Sequence, residues 1–382
     1  MGNEDVPLFL SREAREILVE VRSLAASELA PIAANGEPGR VNRPLLEALG
    51  SHGVLPRIFP ADLGGQATGE VSAVILCLLR EGLAGGSTAA ETAFALQGLG
   101  SYPLIQAGSN EIRRRWIPDV AAGVAVAAFA LTKPDAGSDA ASLGLRAERV
   151  DGGYKLSGSK KWISNAPEAD IYSVFVRTTL DAGARGVTAF AVPGETSGIG
   201  GRSLDLLAPH AIGTVELDGV FVPDDQVLGD VDGGFSVAMR TLDLFRPSVG
   251  AFAVGMCQAA LDASVEHAGS RLSFGRPLRE FQAISQQLGE MAVRTKAARL
   301  LVYEAAAAYD AGERVTSAAA MAKLYATEAA QAVVDMAIQI HGAQALERGH
   351  LLELLYRDVR ATRIYEGTSE IQREIIAREL YR

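Results

Sequence analysis

The spacing of apolar and polar positions changes twice along the chain. From residue 11, SREAREILVEVRSLAASELAPIA carries apolar residues at helical intervals. Ser11 stands where an N-cap accepts from the first free N–H groups, and Glu13 falls in the first turn, where the helix dipole favours an acid. Ala14 holds the place that a full capping box gives to Glu or Gln, so the cap is a single side chain. Pro44 and the run LLEALGSHGV predict a second helix, with the proline in its first turn and its end at Gly50. PADLGGQATG reads as a glycine-rich loop, VSAVILCLLREGLA as a helix buried on most sides, and NEIRRRWIPDVAAG as a short helix with Pro118 near its end. Near residue 125 the helical period stops. VAVAAFAL, GLRAERV, YKLSGSKKWIS, IYSVFVRT, GVTAFAVP and TVELDGVFVP are short runs of strand formers separated by turn residues. Asp151-Gly152-Gly153 and Asp218-Gly219 each lie between two such runs and read as hairpin turns. The stretch therefore predicts an antiparallel β-domain. After Gly233-Gly234 three long amphipathic segments follow, which predicts an antiparallel helical bundle. The expected fold is mainly α with a central β-domain: a helical domain over 1–121, the β-domain over 122–231 and a helical bundle over 232–382.

Composition narrows the classes. A chain of 382 residues is longer than one hydrophobic core usually organises. Hydrophobic residues at 48% and charged residues at 21% suit a globular protein, and aromatics at only 6% suit closely packed alanine-rich helices. A net charge of −10 argues against a general binder of nucleic acid or anionic membrane. An anionic ligand is still within reach of local arginines or helix N-termini. Cys77 and Cys257 sit in apolar helical stretches and read as small buried hydrophobes. With no CxxC, HExxH or clustered His/Cys spacing, no protein-bound metal is expected. The start MGNEDVPLFL is acidic and lacks the apolar run of a signal peptide, and Val6 stands where a myristoylation signal wants Ser or Thr. No window reads as a membrane span, so a cytoplasmic location is expected.

Four segments carry candidate chemistry. Phe129 to Asp139, FALTKPDAGSD, ends a strand in a turn of small residues and hydroxyls that can offer N–H groups to a heterocycle or phosphate. It also reads as an ordinary strand-to-turn segment. In KKWISN, Trp162 and Ser164 are two apart in a strand, which places indole and hydroxyl on one face, suited to a flat ring. A core tryptophan with a surface serine is the plain alternative. RLSFGRP, followed by Phe281 and Gln282, lies between two long helices and holds an arginine, a serine and a glycine able to clamp a pyrophosphate. Equally, Arg271 can complete a helix dipole. In RIYEGTSEIQ the helical pattern stops at Gly367 and restarts at Thr368 or Ser369, with Ser369 and Gln372 spaced as a capping box. That arrangement is either a simple corner or a carboxylate, Glu366, held beside a helix N-terminus.

Read together, ALTKPDAGSD, GSKKWISN, RLSFGRPLREFQ, QIHGA and RIYEGTSEIQREIIAR resemble the acyl-CoA dehydrogenase family over nearly the whole chain. The resemblance implies an N-terminal helical domain, a middle antiparallel β-domain and a C-terminal four-helix bundle, assembled as a homotetramer. It implies FAD as cofactor, an acyl-CoA or acyl-carrier-protein thioester as substrate, and an electron-transfer flavoprotein as acceptor. By position, Phe129, Leu131 and Thr132 match the strand at the flavin pyrimidine edge. Ser138 matches the residue near both flavin phosphate and thioester ligand. Trp162 and Ser164 match the pair beside the isoalloxazine, and Arg271, Ser273, Phe274 and Gln282 the loop that holds a neighbouring subunit's FAD. Gln339 and Gly342 match the adenine end of that contact, and Thr368 and Glu370 the closure over the pyrophosphate. Asp243, Arg246, Gly367 and Arg378 match ligand-side positions.

Three departures stand out. Lys133 replaces the usual Glu of the first signature, Ala343 replaces the second Gly of QxxGG, and residues 208–216 lack the family's Arg-x-Ser before the Asp-Gly pair. Some relatives take their base from the bundle helix, just before the matching arginine; here that position is Phe245, which leaves Glu366. The implied reaction is α,β-dehydrogenation of a saturated acyl thioester, with the α-proton passing to Glu366 and the β-hydride to flavin N5. The rival readings are a relative specialised for a carrier-protein or unusual acyl group, an oxidase using oxygen, and a flavin-binding homologue without dehydrogenase activity.

Overall fold

The computed structural model describes residues 7, 9–134, 137–138 and 145–382. Residues 1–6, with Asp135, Ala136 and Asp139 of the first candidate segment, lie outside that set. The chain runs through helices α1 (Arg12–Leu24), α2 (Ala30–Ala34), α3 (Arg43–Ser51), α4 (Ala73–Gly86), α5 (Thr88–Ala107) and α6 (Asn110–Ala121). Strands β1 (Ala127–Ala130), β2 (Arg146–Val150), β3 (Gly153–Ser164), β4 (Ile171–Arg177), β5 (Val187–Pro193), β6 (Ile199–Gly200), β7 (Ile212–Pro223) and β8 (Val227–Leu228) follow. The C-terminal part comprises α7 (Gly234–Ser270), the short strands β9 (Leu272–Ser273) and β10 (Arg276–Pro277), then α8 (Gln282–Asp310), α9 (Thr316–His341), α10 (Leu351–Thr362) and α11 (Ser369–Glu379). The order helix, strand, helix is the predicted one. Ser11 caps α1, its side chain accepting from Ala14 N, and Pro44 lies in the first turn of α3. The first helical segment is not one α-helix, however: Ala25–Leu29 widens into π-helix before α2.

The residues gather into two compact units, one from residues up to 31, 72–91 and 243–382, the other from 32–71 and 92–242. In the first, α9 is the central element, packed by α8, α10 and α11, while α4 packs on α1 and α8. Alanines make this packing close. Ala319, Ala322, Ala326, Ala330 and Ala337 of α9 are fully buried, and a Cβ added to Gly250 of α7 would meet Val302 of α8 at 2.6 Å. Burial on all sides forces charged residues of these helices to pair internally. Glu81 of α4 receives Arg299 Nε at 2.8 Å and the Tyr303 hydroxyl at 2.9 Å. Cys77 and Cys257 are buried free thiols. The α7 helix is long and apolar enough to cross a bilayer by composition, and 78% of its apolar window is buried inside the fold.

The second unit is built on a sheet of order β6-β7-β3-β2-β4-β5-β8, with β1 beside β4. Most pairs are antiparallel, but β1 and β2 each meet β4 in parallel, so the sheet is mixed and not wholly antiparallel as expected. Asp151-Gly152 does turn the β2–β3 hairpin, with Val150 opposite Gly153. Asp218-Gly219 does not turn a hairpin: β7 continues through it. Ladder pairing jumps from Leu156–Val220 to Gly158–Leu217, leaving two residues of β7 opposite one of β3. Gly219 takes φ +63°, so the Asp-Gly pair forms a β-bulge, which makes the same left-handed demand as a tight turn.

Candidate active site

Between α10 and α11 the chain reverses through Glu366 (φ +52°) and Gly367 (φ +93°). Glycine adopts this conformation freely, whereas a glutamate there is strained and must be held by its surroundings. The grip is on its carbonyls. Gln372 Nε2 donates to Glu366 O at 3.1 Å and Gly367 O at 3.0 Å, Lys323 Nζ to Gly367 O at 2.6 Å, and Arg246 Nε to Glu366 O at 3.4 Å. The expected capping box of Ser369 and Gln372 is not formed. Thr368 is the N-cap of α11, its Oγ1 accepting from Ile371 N at 3.4 Å, and Ser369 Oγ donates to Glu328 at 2.6 Å. The cap falls one residue early because Gln372 is drawn back onto the loop carbonyls.

The Glu366 side chain is half-buried, and its Oε2 is enclosed without a hydrogen-bond partner among the described residues. Burial pushes the carboxyl above its usual range, against the pull of Arg80, Arg246 and Lys323. None of these cations is free to collapse onto the carboxylate. Arg80, 3% exposed, pairs with Glu91 and donates to Ser248 Oγ at 2.7 Å. Arg246, itself buried, lies 3.3 Å from Asp243. Burial raises the Asp243 carboxyl, and Arg246 opposes that shift. Phe245 is buried and offers no proton acceptor. A carboxyl of raised pKa with an enclosed, unfilled oxygen is suited to taking a proton from a ligand that excludes water.

Asp243, Arg246, Glu366 and Gly367 are thus brought together, with Thr368 one residue on. Arg80, Lys323 and Gln372 join them without having been singled out in the sequence. For the two cations the signal was present: a charge inside VILCLLREGLA or AAMAKLYATEAA, helices buried on most sides, demands a partner. Arg378 lies exposed in the last turn of α11, with no hydrogen bond or ion pair to this cluster, and Glu370 is exposed in the first turn.

In the second unit, Phe129 of β1 packs on Phe175 with ring centroids 4.9 Å apart. Leu131 is buried, and its carbonyl receives Lys160 Nζ at 2.7 Å; Thr132 O receives Lys161 N at 3.1 Å. Burial pushes the Lys160 amine down to about 7. Ser138 is exposed. Trp162 and Ser164 do not follow simple strand alternation. Trp162 sits at a second β3–β7 register shift with φ +63°, the extra residue of a bulge. The bulge leaves the indole 46% exposed, with Lys161 Nζ 4.6 Å from the ring centre. Ser164 is half-buried.

Arg271, Ser273 and Phe274 belong to the β9–β10 hairpin, turned by Phe274 (φ +52°) and Gly275 (φ +80°). Phe274 is 94% exposed at its tip, and Arg271 and Gln282 are exposed as well. Gln339 is exposed near the end of α9, and Gly342, at φ +66°, has open space where a Cβ would stand.

Sequence models of the acyl-CoA dehydrogenase N-terminal, middle and C-terminal domains match residues 11–124, 128–220 and 232–381. Cyclohexane-1-carbonyl-CoA dehydrogenase of Geobacter metallireducens is 35% identical over 97% of this chain and 98% of its own. The chain belongs to the acyl-CoA dehydrogenase family. Butyryl-CoA dehydrogenase from Megasphaera elsdenii superimposes with a TM-score of 0.92 at 32% identity, covering 99% of this chain and 100% of its own. An FAD complex of PigA does so with a TM-score of 0.91 at 27% identity, covering 98% and 99%. Membership makes this acyl-CoA dehydrogenase an oxidoreductase acting on the CH–CH group of an acyl thioester.

Proposed function

We propose that this acyl-CoA dehydrogenase is an FAD enzyme in which Glu366 removes the α-proton of a saturated acyl thioester. The observation that carries the reading is Glu366 itself: a strained, left-handed glutamate whose enclosed Oε2 has no partner among the described residues and whose pKa is raised. FAD, when bound, supplies the acceptor for the β-hydride. The residues fit such a flat, anionic group. Trp162 stands 46% exposed on a bulge and Phe274 94% exposed on a hairpin tip, where ordinary folding would bury both rings. Phe129, Leu131, Thr132, Ser138, Trp162 and Ser164 would line the flavin. Thr368 and Glu370, at the N-terminus of α11, would lie by its pyrophosphate.

Arg271, Ser273, Phe274 and Gln282, with Gln339 and Gly342, would hold the cofactor of a neighbouring subunit in a homotetramer. All of them but the half-buried Ser273 are exposed, which suits such a contact. Asp243, Arg246, Gly367, Ser138 and Arg378 would line the thioester channel. The Glu366 N–H would polarise the thioester carbonyl, and its carboxylate would then receive the α-proton at Oε2. Electrons leave to an electron-transfer flavoprotein, in the cytoplasm. The second reading, a carrier-protein thioester as substrate, shares this chemistry and differs only in what enters the channel.

Two measurements test the assignment. Acid-released cofactor identified by mass is expected to be FAD, one per chain; FMN would reject it. An anaerobic panel of acyl-CoA and acyl-carrier-protein thioesters is expected to contain a member that bleaches the flavin, and a panel that leaves it unchanged would count against dehydrogenation.

A further inference from the structure

Lys323 is a site element whose presence neither packing nor the mechanism above explains. It lies on α9 among alanines and is fully buried, a placement that costs an ammonium its hydration. Burial pushes its amine down to about 8. Its Nζ donates to Gly367 O at 2.6 Å, and an ammonium has three N–H donors. Three carboxylates face it, from the Glu366 loop, from α9 and from α11. Glu328 is already taken, by Arg363 at 2.9 Å and by Ser369 Oγ at 2.6 Å. Glu370 is exposed. Of the three, only Glu366 has an enclosed oxygen without a partner. Arg246, which faces Lys323 from α7, is held to Asp243, and Arg80, which faces Glu366 from α4, is paired with Glu91.

We propose that Lys323 is the positioning residue for Glu366, fixing the strained 366–367 turn through the Gly367 carbonyl and holding the carboxylate ionised through its own charge. Arg80 is paired with the buried Glu91 and Arg246 lies 3.3 Å from Asp243, whereas Lys323 forms no direct ion pair among the described residues and its charge acts on the carboxylates that face it. Grip and charge act on the same residue, which accounts for a lysine where leucine would pack more cheaply. The inference rests on Glu366 being the base.

Lys323→Gln keeps an N–H donor without charge, Lys323→Arg keeps the charge, and Lys323→Met keeps neither. The readout is the titration of the Glu366 carboxyl by infrared difference spectroscopy of the holoenzyme, each sample referenced to Glu366→Gln in the same background. Removing a nearby opposite charge raises the pKa of a carboxyl. In Lys323→Gln and Lys323→Met the Glu366 carboxyl is therefore expected to titrate above its wild-type position, and in Lys323→Arg at it. Flavin content and melting temperature of the same samples show that each is folded; should Lys323→Met not fold, the Gln and Arg variants decide. Wild-type titration in Lys323→Gln overturns the charge claim, because grip alone would survive that change. Normal flavin reduction in Glu366→Gln would instead remove the base assignment. The two failures are thus distinct.

Discussion

At the scale of single residues, the proposed role of Glu366 as base is set against stability. Its pKa in the folded protein is raised, chiefly by burial. A carboxyl raised on folding stabilises the native state fully below its unfolded value, and that contribution is lost as pH rises through the folded value. At neutral pH the ionised, half-buried carboxylate therefore costs stability. Glu366→Gln is expected to melt at a higher temperature than wild type near pH 7, with the advantage shrinking as pH falls toward the unfolded range near about 4.3. Paired melting curves across that range check it; a lower melting temperature for the Gln variant at neutral pH would contradict the reasoning. The break in helical period at Gly367 was legible in the sequence, and the family resemblance, with Phe245 at the alternative position, pointed to Glu366 as the expected base; the structure shows that residue strained, with an enclosed oxygen. Lys323 and Gln372 were not singled out. Their work is done on carbonyl oxygens 44 and 5 residues away, and helical spacing shows a residue's face but not the loop it reaches.

Elements show a different boundary between what is readable and what is not. The long α7, α8 and α9 followed from period, and the Asp151-Gly152 hairpin from its turn residues. Asp218-Gly219 carries the same dipeptide, yet β7 runs through it as a bulge, because a left-handed glycine satisfies either geometry and only the pairing partner decides. The Trp162 bulge has no glycine to announce it, so strict alternation misplaced the indole relative to Ser164. Strand β1 illustrates how elements carry the proposed flavin site. It bears Phe129 and leads into Leu131 and Thr132, and α5 lies tight against it: a Cβ on Gly100 would come within 2.5 Å of Ala127 C and 2.6 Å of Ala128 N. Backbone cannot yield as a side-chain end can. Gly100→Ala is expected to destabilise by about 1–3 kcal/mol and to loosen flavin retention. Chemical denaturation with parallel flavin fluorescence measures both. An unchanged midpoint would show that α5 can move away from β1 at little cost.

For the whole molecule, the fold order and family were legible from end to end. The mixed sheet was not, because strand formers in sequence do not reveal which neighbours run parallel. Arg271, Phe274, Gln282, Gln339 and Gly342 are exposed, the pattern expected of groups completed by another subunit. Arg271→Ala should weaken flavin retention while helix content by circular dichroism stays unchanged, and sedimentation should show a dimer or larger assembly for wild type. A monomer that keeps its full flavin on dilution would contradict shared cofactor sites. The account as a whole turns on one carboxylate. Glu366→Gln preserves shape and volume but cannot accept the α-proton, so the variant should bind FAD and acyl thioester normally. The direct measurement is rapid-mixing absorbance of the flavin, wild type against Glu366→Gln, with a thioester that bleaches the wild type. A loss of about 10²–10⁴-fold or more in the reduction rate is the predicted result, and bleaching near the wild-type rate would mean that another group takes the proton.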